Sequence, residues 1–280
     1  MTLNFLKMHG LGNDFVLVDG LADPAAAEVA AASAESLCDR HFGVGADGVV
    51  LLLAGSQAAL RMRIFNPDGS EAEMCGNAMR CLARYAYERG LTKETTFAVE
   101  TLSGPVYPTV NLLNGKVGSV SVDMGAPRFQ ADEIPMRWPT SPVVEQPLRV
   151  GDGTLLVTCL SMGNPHCVIF VDDVAGVPVR KLGPQIEHEP AFRNRVNVEF
   201  AQVTSRTTIR VRVWERGAGE TLACGTGACA AAVASVVTKR ADRKVTVSLN
   251  GGDLAIEWRA DDHVLMTGAA DYVFEGRVFP

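Results

Sequence analysis

Short runs of alternating apolar and polar residues dominate the chain and predict β-strands. In residues 208–214, Ile209, Val211 and Val213 lie two positions apart, so all three side chains fall on one face of a half-buried strand. The same alternation recurs in four further runs, which are residues 97–101, 120–124, 244–249 and 253–258. Residues 250–252 read Asn-Gly-Gly between the last two runs, a sequence typical of a hairpin turn. We therefore expect a sheet-rich protein.

Three segments have a helical composition instead. Residues 24–37 are alanine-rich and begin at Pro24, which suits the first turn of a helix. Residues 77–89 are followed by Gly90, a typical helix end. Residues 226–237 contain no charged side chain, and a helix that is apolar on every side must be buried. We expect this helix to lie inside a curled antiparallel sheet, and the proline-rich residues 127–147 to form an irregular crossover.

Residues 43–48 match the dinucleotide-binding fingerprint Gly-x-Gly-x-x-Gly. That fingerprint is meaningful only where it follows a strand and opens a helix. Here the order is reversed, because a predicted helix precedes it and the apolar run of residues 49–53 follows it. The segment is therefore interpreted as a loop and not as a nucleotide site.

Composition narrows the class of protein. The chain has 280 residues, 47% hydrophobic and 21% charged, which suits a globular protein of one large or two ordinary domains. A net charge of −6 argues against nucleic acid or an anionic membrane as partner. No signal-peptide pattern and no apolar run of bilayer length occurs, so we expect a cytoplasmic protein. The seven cysteines show no Cys-x-x-Cys spacing, and no metal site is predicted.

A short motif occurs twice and carries the chemistry. Cys75-Gly76-Asn77 and Cys224-Gly225-Thr226 each stand directly before a predicted helix. A second pair, Gly12-Asn13 and Gly163-Asn164, recurs in the same order at nearly the same offset. Two ordered matches at one offset indicate a duplicated domain, because solenoid repeats have much shorter periods.

The duplication predicts an α+β fold with two pseudo-symmetric lobes. Each lobe is expected to be a curled, mostly antiparallel sheet around a central helix. Residues 1–124 are assigned to the first lobe, joined by a C-terminal strand at about residues 268–280. Residues 125–267 are assigned to the second lobe, and the active site is expected in the cleft between the lobes.

The start of a helix suits both a reactive thiol and an anion. Free N–H groups and the helix dipole lower the pKa of a cysteine placed there and bind carboxylates. The N–H groups of Gly76, Asn77, Gly225 and Thr226 would hold the α-carboxylate of an amino acid. Cys75 and Cys224 would then flank its α-carbon, one removing the α-proton and the other protonating the opposite face without a cofactor. The alternatives are two inert buried cysteines or a redox pair.

At these residues the chain resembles the diaminopimelate epimerase family over essentially its whole length. The resemblance rests on five segments, which are residues 8–15, 65–70, 74–81, 163–166 and 214–227. It implies two pseudo-symmetric lobes, Cys75 and Cys224 as the acid/base pair, no cofactor, a diaminopimelate substrate and a homodimer. The implied activity interconverts the LL and meso forms in lysine and peptidoglycan precursor synthesis.

The resemblance also implies roles for polar residues. Those holding the substrate are Asn13, Asn66, Asn164, Asn197, Glu215 and Arg216, and those influencing the thiol pKa values are His166 and Glu215. Each has a structural alternative: asparagines beside Gly or Pro are often turn residues, His166 could be a core histidine, and Arg216 could be solvated. Gly48 is a weaker candidate, because many relatives carry glutamine near this position.

Three other functions stay open at this point. A proline or hydroxyproline racemase shares the two-cysteine architecture, but its substrate has no distal charged group to satisfy Glu215 and Arg216. A thiol redox sensor or peroxidase would turn over peroxide or form a disulfide with function. A non-catalytic amino-acid-binding module would still bind without either cysteine.

Overall fold

The computed structural model describes residues 2–279 and divides into two compact units. Unit 1 contains the described residues up to Asp123 together with those from Thr267 onwards, and unit 2 contains Met124–Met266. Within these residues, none of the helices combines the length and apolar character needed to cross a bilayer.

Strands outnumber helices in both units. The helices are α1 (Pro24–Ala32), α2 (Ala34–Cys38), α3 (Gly76–Glu88), α4 (Val179–Glu187) and α5 (Gly225–Val237). The strands are β1 (Leu3–Gly10), β2 (Asn13–Asp19), β3 (Gly48–Ala54), β4 (Leu60–Phe65), β5 (Glu71–Ala72), β6 (Val99–Thr101), β7 (Gly104–Val106), β8 (Thr109–Leu113), β9 (Lys116–Asp123), β10 (Gln146–Val150), β11 (Gly153–Ser161), β12 (Pro165–Phe170), β13 (Asn197–Ser205), β14 (Thr208–Glu215), β15 (Gly219–Thr221), β16 (Lys244–Leu249), β17 (Gly252–Trp258), β18 (Val264–Gly268) and β19 (Asp271–Val278).

Unit 1 is a sheet with one long helix against it. The strand order is β19-β1-β2-β3-β4-β6-β7, and β5 pairs with β4. The β2/β3 and β4/β6 pairs are parallel and the others antiparallel. Helix α3 packs against β1 and against the β8–β9 hairpin. Helices α1 and α2 pack on β3 over a core that includes Val16, Val49 and Leu51.

Unit 2 repeats this pattern with other residues. Its sheet contains the order β10-β11-β12-β13-β14-β16-β17, and β15 pairs with β14. Here the β12/β13 and β14/β16 pairs are parallel and the others antiparallel. Helix α5 packs against β11, β12, β13, β14, β16 and β17. A second core, which includes Val157, Ile169 and Phe200, lies under α4 and the crossover.

The two units therefore share one order of strand pairings. Strands β1 to β4 and strands β11 to β14 run antiparallel, parallel, antiparallel in succession. In each unit a two- or three-residue strand follows and leads into the long helix. The α+β prediction, with a sheet around a central helix in each half, is confirmed.

The alanine-rich helix α5 is buried as predicted. Residues 228–234 are at most 2% exposed, because small side chains let the surrounding strands approach the helix closely. Helix α3 is less apolar and contains Arg80, which is fully buried. Its guanidinium donates to the carbonyl of Ala269 (3.1 Å) and to the side chain of Asn77 (2.8 Å), so its charge is hydrogen-bonded inside unit 1.

Two local predictions needed correction and two were confirmed. The single helix predicted over residues 24–37 is broken at Ser33, where φ is −108° and ψ is 15°; serine competes with helix hydrogen bonding and favours such ends. The strand predicted from residue 97 begins at Val99. Residues 250 and 251 form the tight turn between β16 and β17, and residues 43–47 form a loop that leads into β3.

Candidate active site

The two cysteines occupy the same position at two helix starts. Cys75 is the N-cap of α3, with φ −140° and ψ 120°. Cys224 is the N-cap of α5, with φ −121° and ψ 113°. Each cysteine is therefore extended while the next residue begins the helix, so the first N–H groups of each helix lie beside a thiol. In each unit a cysteine thus stands beside the first N–H groups of a long helix.

In unit 1, Asn13 and Asn77 are brought together beside Cys75. Asn77 donates through Nδ2 to Oδ1 of Asn13 (2.9 Å), and Asn13 donates through Nδ2 to Oδ2 of Asp47 (2.9 Å). On the other side of Asn77, the guanidinium of Arg80 donates to the Asn77 Oδ1. Asn13 is thus held between a carboxylate and an amide, which fixes the orientation of its side chain at the start of β2.

Ion pairs hold the loop that carries Asp47. Arg40 Nη2 contacts Oδ1 of Asp14 and Oδ1 of Asp47, each at 2.7 Å, and Lys7 pairs with Asp14. Partial burial raises the pKa of Asp14, but the bonds from Arg40 and Lys7 outweigh it and hold that pKa below its usual value. The glycine-rich loop that resembled a nucleotide fingerprint therefore serves to anchor Asn13.

The other predicted residues of unit 1 are placed as follows. Asn66 is partly exposed and donates through Nδ2 to the hydroxyl of Ser70 (2.9 Å), while its N–H donates to the Ser70 carbonyl (2.8 Å). This is the turn role that the sequence left open for Asn66. Gly48 is buried at the start of β3, where an added Cβ would lie 2.8 Å from the carbonyl oxygen of Phe65. A side chain at position 48 would therefore require the neighbouring strand to shift.

In unit 2, Cys224 is buried with donors and carboxylates around its sulfur. Its Sγ accepts the N–H of Gly227 at 3.3 Å and lies 3.5 Å from the hydroxyl of Thr226. Burial raises the pKa of the Cys224 thiol well above its usual value, and Glu215 and Glu199 raise it further when they are ionised. The bonds from Thr226 and Gly227 act in the opposite direction. Burial and the neighbouring carboxylates therefore oppose ionisation of the Cys224 thiol, while the two hydrogen bonds favour it.

Glu215 and Arg216 lie at the end of β14. Burial raises the pKa of Glu215, while hydrogen bonds from Thr221 and from the Cys224 thiol lower it. Thr221 donates to Oε1 of Glu215 at 2.5 Å. Arg216 is exposed and donates to the carbonyl of Asn194 (3.1 Å). Buried Asn197 accepts the backbone N–H of Arg216 (2.9 Å), so its amide shapes the turn that presents the guanidinium.

Asn164 and His166 connect to Cys224 through hydrogen bonds. His166 is fully buried, and its Nε2 lies 2.9 Å from Oδ1 of Asn164. Asn164 donates through Nδ2 to the hydroxyl of Thr226 (3.2 Å). On its other side, Nδ1 of His166 lies 2.7 Å from Oε1 of Glu199. Unit 2 thus brings five of the predicted site residues together, which are Asn164, His166, Glu215, Cys224 and Thr226.

Three neighbours of the predicted residues were missed from sequence. Asp47 and Arg80 orient Asn13 and Asn77, and Glu199 binds His166. Glu199 left one signal in the sequence, because it is a charged residue between apolar neighbours in the run 196–201. No comparable signal marks Asp47 or Arg80. The partner of Asp47 is 34 residues away in the sequence, and an arginine on a helix, such as Arg80, is usually exposed to solvent.

Over residues 2–279, no cluster of three or more His, Cys, Asp or Glu side chains is arranged to hold a metal ion. All seven cysteines are free thiols.

Comparison with known proteins decides the family. The diaminopimelate epimerase family model matches residues 5–130 and 158–273. The chain belongs to the diaminopimelate epimerase family. It is 56% identical over 275 residues to the diaminopimelate epimerase of Moorella thermoacetica, with 98% of each chain covered. It is 51% identical to diaminopimelate epimerase 1 of Nostoc sp., with 99% of this chain and all of the relative covered. A member of this epimerase family is an isomerase, as expected from the sequence.

Solved structures of low sequence identity show the same fold. A phenazine biosynthesis protein of the PhzF family from Bacillus anthracis aligns over the whole of both chains with a TM-score of 0.70 and 18% identity. A hydroxyproline epimerase from Agrobacterium vitis aligns over 99% of this chain and 92% of its own length, with a TM-score of 0.70 and 16% identity. At this identity the likeness describes architecture, so it does not transfer the substrate of either protein.

Proposed function

We propose that this protein interconverts LL-diaminopimelate and meso-diaminopimelate by a two-base mechanism without a cofactor. One cysteine thiolate removes the α-proton and the other cysteine thiol delivers a proton to the opposite face. The product serves lysine and peptidoglycan precursor synthesis. The observation that carries the proposal is the matched position of Cys75 and Cys224, each the extended N-cap of a long buried helix.

The chemistry of each helix start supports this scheme. Removing an α-proton beside a carboxylate builds negative charge on that carboxylate, and aimed N–H donors stabilise such charge in the transition state. The N–H groups that follow Cys75 and Cys224 are such donors. Burial raises the pKa of the Cys224 thiol, which favours the protonated form that delivers a proton in one direction of the reaction. Because the two thiols share one exchangeable proton in the cycle, their titration belongs to the pair.

The polar residues around the cysteines suit a substrate that carries charge at both ends. The exposed guanidinium of Arg216 can bind a distal carboxylate through two hydrogen bonds. The carboxyl group of Glu215 and the amides of Asn13 and Asn164 can bind ammonium and carboxylate groups. Proline has no distal carboxylate for Arg216 to bind, although an exposed guanidinium stays solvated without one. The high identity to curated diaminopimelate epimerases also favours the longer substrate.

The decisive experiment is hydrogen exchange from solvent. Incubation with LL-diaminopimelate in deuterated water, under reducing conditions and without pyridoxal phosphate or metal, should give meso product deuterated at the inverted α-carbon. Proton NMR measures the exchange and chiral chromatography measures the inversion. Parallel incubations with L-proline and trans-4-hydroxy-L-proline should show no exchange. Exchange only with the proline substrates would replace the proposal by the racemase alternative.

Two single variants test the two-base step. Cys75→Ala and Cys224→Ala should each reduce inversion to background, because each removes one of the two acid/base groups. Cys38→Ala is the matched control, since Cys38 is a buried thiol in the apolar core of unit 1. Near-normal inversion by either active-site variant would exclude the mechanism. If the parent protein shows no turnover and both variants still bind diaminopimelate, the protein is a binding module.

We also propose a cytoplasmic homodimer as the working form. Two functional thiols need a reducing compartment to stay reduced, and all seven cysteines are free. Light scattering after gel filtration should give twice the chain mass of 29.9 kDa.

A further inference from the structure

Glu199 is a buried carboxyl group with no role in the scheme above. It lies in the middle of β13 with none of its surface exposed. Its Oε1 contacts Nδ1 of His166 at 2.7 Å, and among the described residues its Oε2 has no hydrogen-bond partner. Burying an ionised carboxylate in this way is costly unless a proton or a cation compensates the charge. Glu199 therefore needs a compensating proton close by.

The hydrogen bonds around His166 place that proton between His166 and Glu199. Asn164 donates through Nδ2 to Thr226, so its Oδ1 faces His166 and can only accept. Nε2 of His166 must therefore carry a hydrogen. The short contact between Nδ1 and Glu199 needs one further proton, held by either atom. A neutral imidazole beside an ionised carboxylate would carry a net charge of −1. The Glu199–His166 dyad holds one more proton than that and therefore carries no net charge.

From this dyad, hydrogen-bond donors point in one direction to the sulfur of Cys224. His166 donates to Asn164, Asn164 donates to Thr226, and the Thr226 hydroxyl is then free to donate to Sγ, which lies 3.5 Å away. We call this series the donor chain. When the shared proton lies on Nδ1, the ring is an imidazolium, and its Nε2–H is a charge-assisted donor that polarises the following bonds.

Glu199 is also close to the sulfur through space. A Cβ added to Gly227 would lie 2.8 Å from Oε1 of Glu199 and 3.3 Å from Sγ of Cys224, so both atoms border the same small space. A bare carboxylate there opposes formation of a thiolate at Cys224. The other titratable groups facing the dyad and Cys224 are Glu215 from β14 and Cys167 from β12.

We propose that Glu199 is a positioning residue for the reaction at Cys224: it holds one proton jointly with His166 and so directs the donor chain towards the sulfur. This inference rests on the proposed acid/base role of Cys224. It explains why a carboxyl group is tolerated beside a thiol that must become a thiolate in one half of the catalytic cycle. The shared proton both cancels the charge of Glu199 and strengthens the donors that stabilise the thiolate.

Glu199→Gln tests the proposal, because glutamine keeps the shape but cannot hold the shared proton. The rate of alkylation of Cys224 by iodoacetamide, followed by peptide mass spectrometry from pH 6.5 to 9.5, reports its thiolate. We expect this rate to fall about tenfold at each pH below the thiol pKa, the difference between a charge-assisted and a neutral donor. Cys75 is alkylated in the same molecules and should react at an unchanged rate. The fully buried Cys159 and Cys167 should stay unmodified, which shows that unit 2 is folded.

The sign of the change separates the proposal from its opposite. If Glu199 acts only as a negative charge, Glu199→Gln should make Cys224 react faster, and that result would overturn the proposal, as would an unchanged rate. Glu145→Gln is the matched control, because Glu145 is an exposed carboxylate of unit 2 paired with Arg240 (2.7 Å); it should change nothing. If Cys159 becomes reactive in Glu199→Gln, the same measurement on Glu199→Asp, which keeps the acid, should retain most of the parent rate.

A double variant tests the route through the donor chain. Thr226→Val removes the hydroxyl between Asn164 and Sγ, so Glu199→Gln should have little further effect in that background. Full additivity of the two changes would reject the route. Alkylation needs no substrate. If the alkylation rate of Cys224 does not fall in Glu199→Gln while the parent protein epimerises normally, only the role of Glu199 is rejected. A slower Cys224 in a protein without epimerase activity would instead reject the proposed function.

Discussion

Replacing Gly227 with alanine should have two opposite effects: alanine favours the helix, and its methyl group crowds the sulfur of Cys224. Gly227 lies in the first turn of α5, and its backbone angles are ordinary for any residue. In an open site the alanine would stabilise the helix by about 1 kcal/mol. Here the new methyl group would lie 2.8 Å from Oε1 of Glu199 and 3.3 Å from both Cβ and Sγ of Cys224. Such overpacking costs about 1–3 kcal/mol.

The two effects nearly cancel for stability but not for catalysis. The net loss of unfolding free energy should be about 0–2 kcal/mol, which lowers the Tm by at most about 8 °C. The sulfur, however, must move by a few tenths of an ångström. Since a displacement of about 1 Å can cost about 10²-fold in rate, we expect kcat/KM to fall about tenfold.

The assay combines the epimerisation rate with scanning calorimetry. Gly153→Ala is the control, because a Cβ there would lie 3.7 Å from its single near neighbour, the carbonyl of Val150. That variant should keep both rate and Tm. A Gly227→Ala enzyme with full activity and a raised Tm would show that the space between Glu199 and Cys224 is not tight, and the reasoning would be wrong.

Three further predictions concern both units. Asp47→Asn should raise KM several-fold with a smaller change in kcat, because it weakens the charge-assisted bond that orients Asn13; steady-state kinetics measures this, and an unchanged KM would count against a substrate contact by Asn13. Peroxide should inactivate the enzyme by joining Cys75 to Cys224, so peptide mapping should find that crosslink and dithiothreitol should restore activity; inactive protein with both thiols free would contradict this. Ion pairs hold the pKa of Asp14 below its unfolded value, so its stabilisation is present above the unfolded pKa of about 3.9 and is lost as pH falls through the folded pKa. Asp14→Asn should therefore be less stable than the parent in urea at pH 7, and the difference should shrink as the pH falls from the unfolded pKa through the folded pKa of Asp14; a difference that does not change with pH would reject the ion-pair explanation.

The elements that depend on local sequence were largely predictable. The predicted bounds of the helices that follow Cys75 and Cys224 agree within one residue with those of α3 and α5. The alanine content of both helices and Gly90 after α3 are local signals. The break at Ser33 was missed, since one serine within an alanine-rich run is a weak signal compared with the composition around it.

Side-chain partners were less predictable than elements. The contact between Glu199 and His166 depends on the parallel register of β13 on β12, where His166 pairs with Asn197. No periodicity within either strand determines that register. In the same way, Asp47 reaches Asn13 because β3 pairs in parallel with β2. The sequence therefore predicted candidate reactive groups, while the residues that contact them depend on the pairing of the strands.

The repeated strand pairing leaves the two thiols in unequal surroundings. Cys75 is partly exposed, and its side chain makes no capping bond to its own helix. Cys224 is enclosed and accepts the N–H of Gly227. Even a racemase, whose two ligands are mirror images of equal energy, needs only an equilibrium constant of one and not two identical bases. LL- and meso-diaminopimelate are not mirror images, so an enzyme that interconverts them has no need of equivalent bases. After duplication, each half was therefore free to diverge around its own cysteine while the backbone kept its common plan.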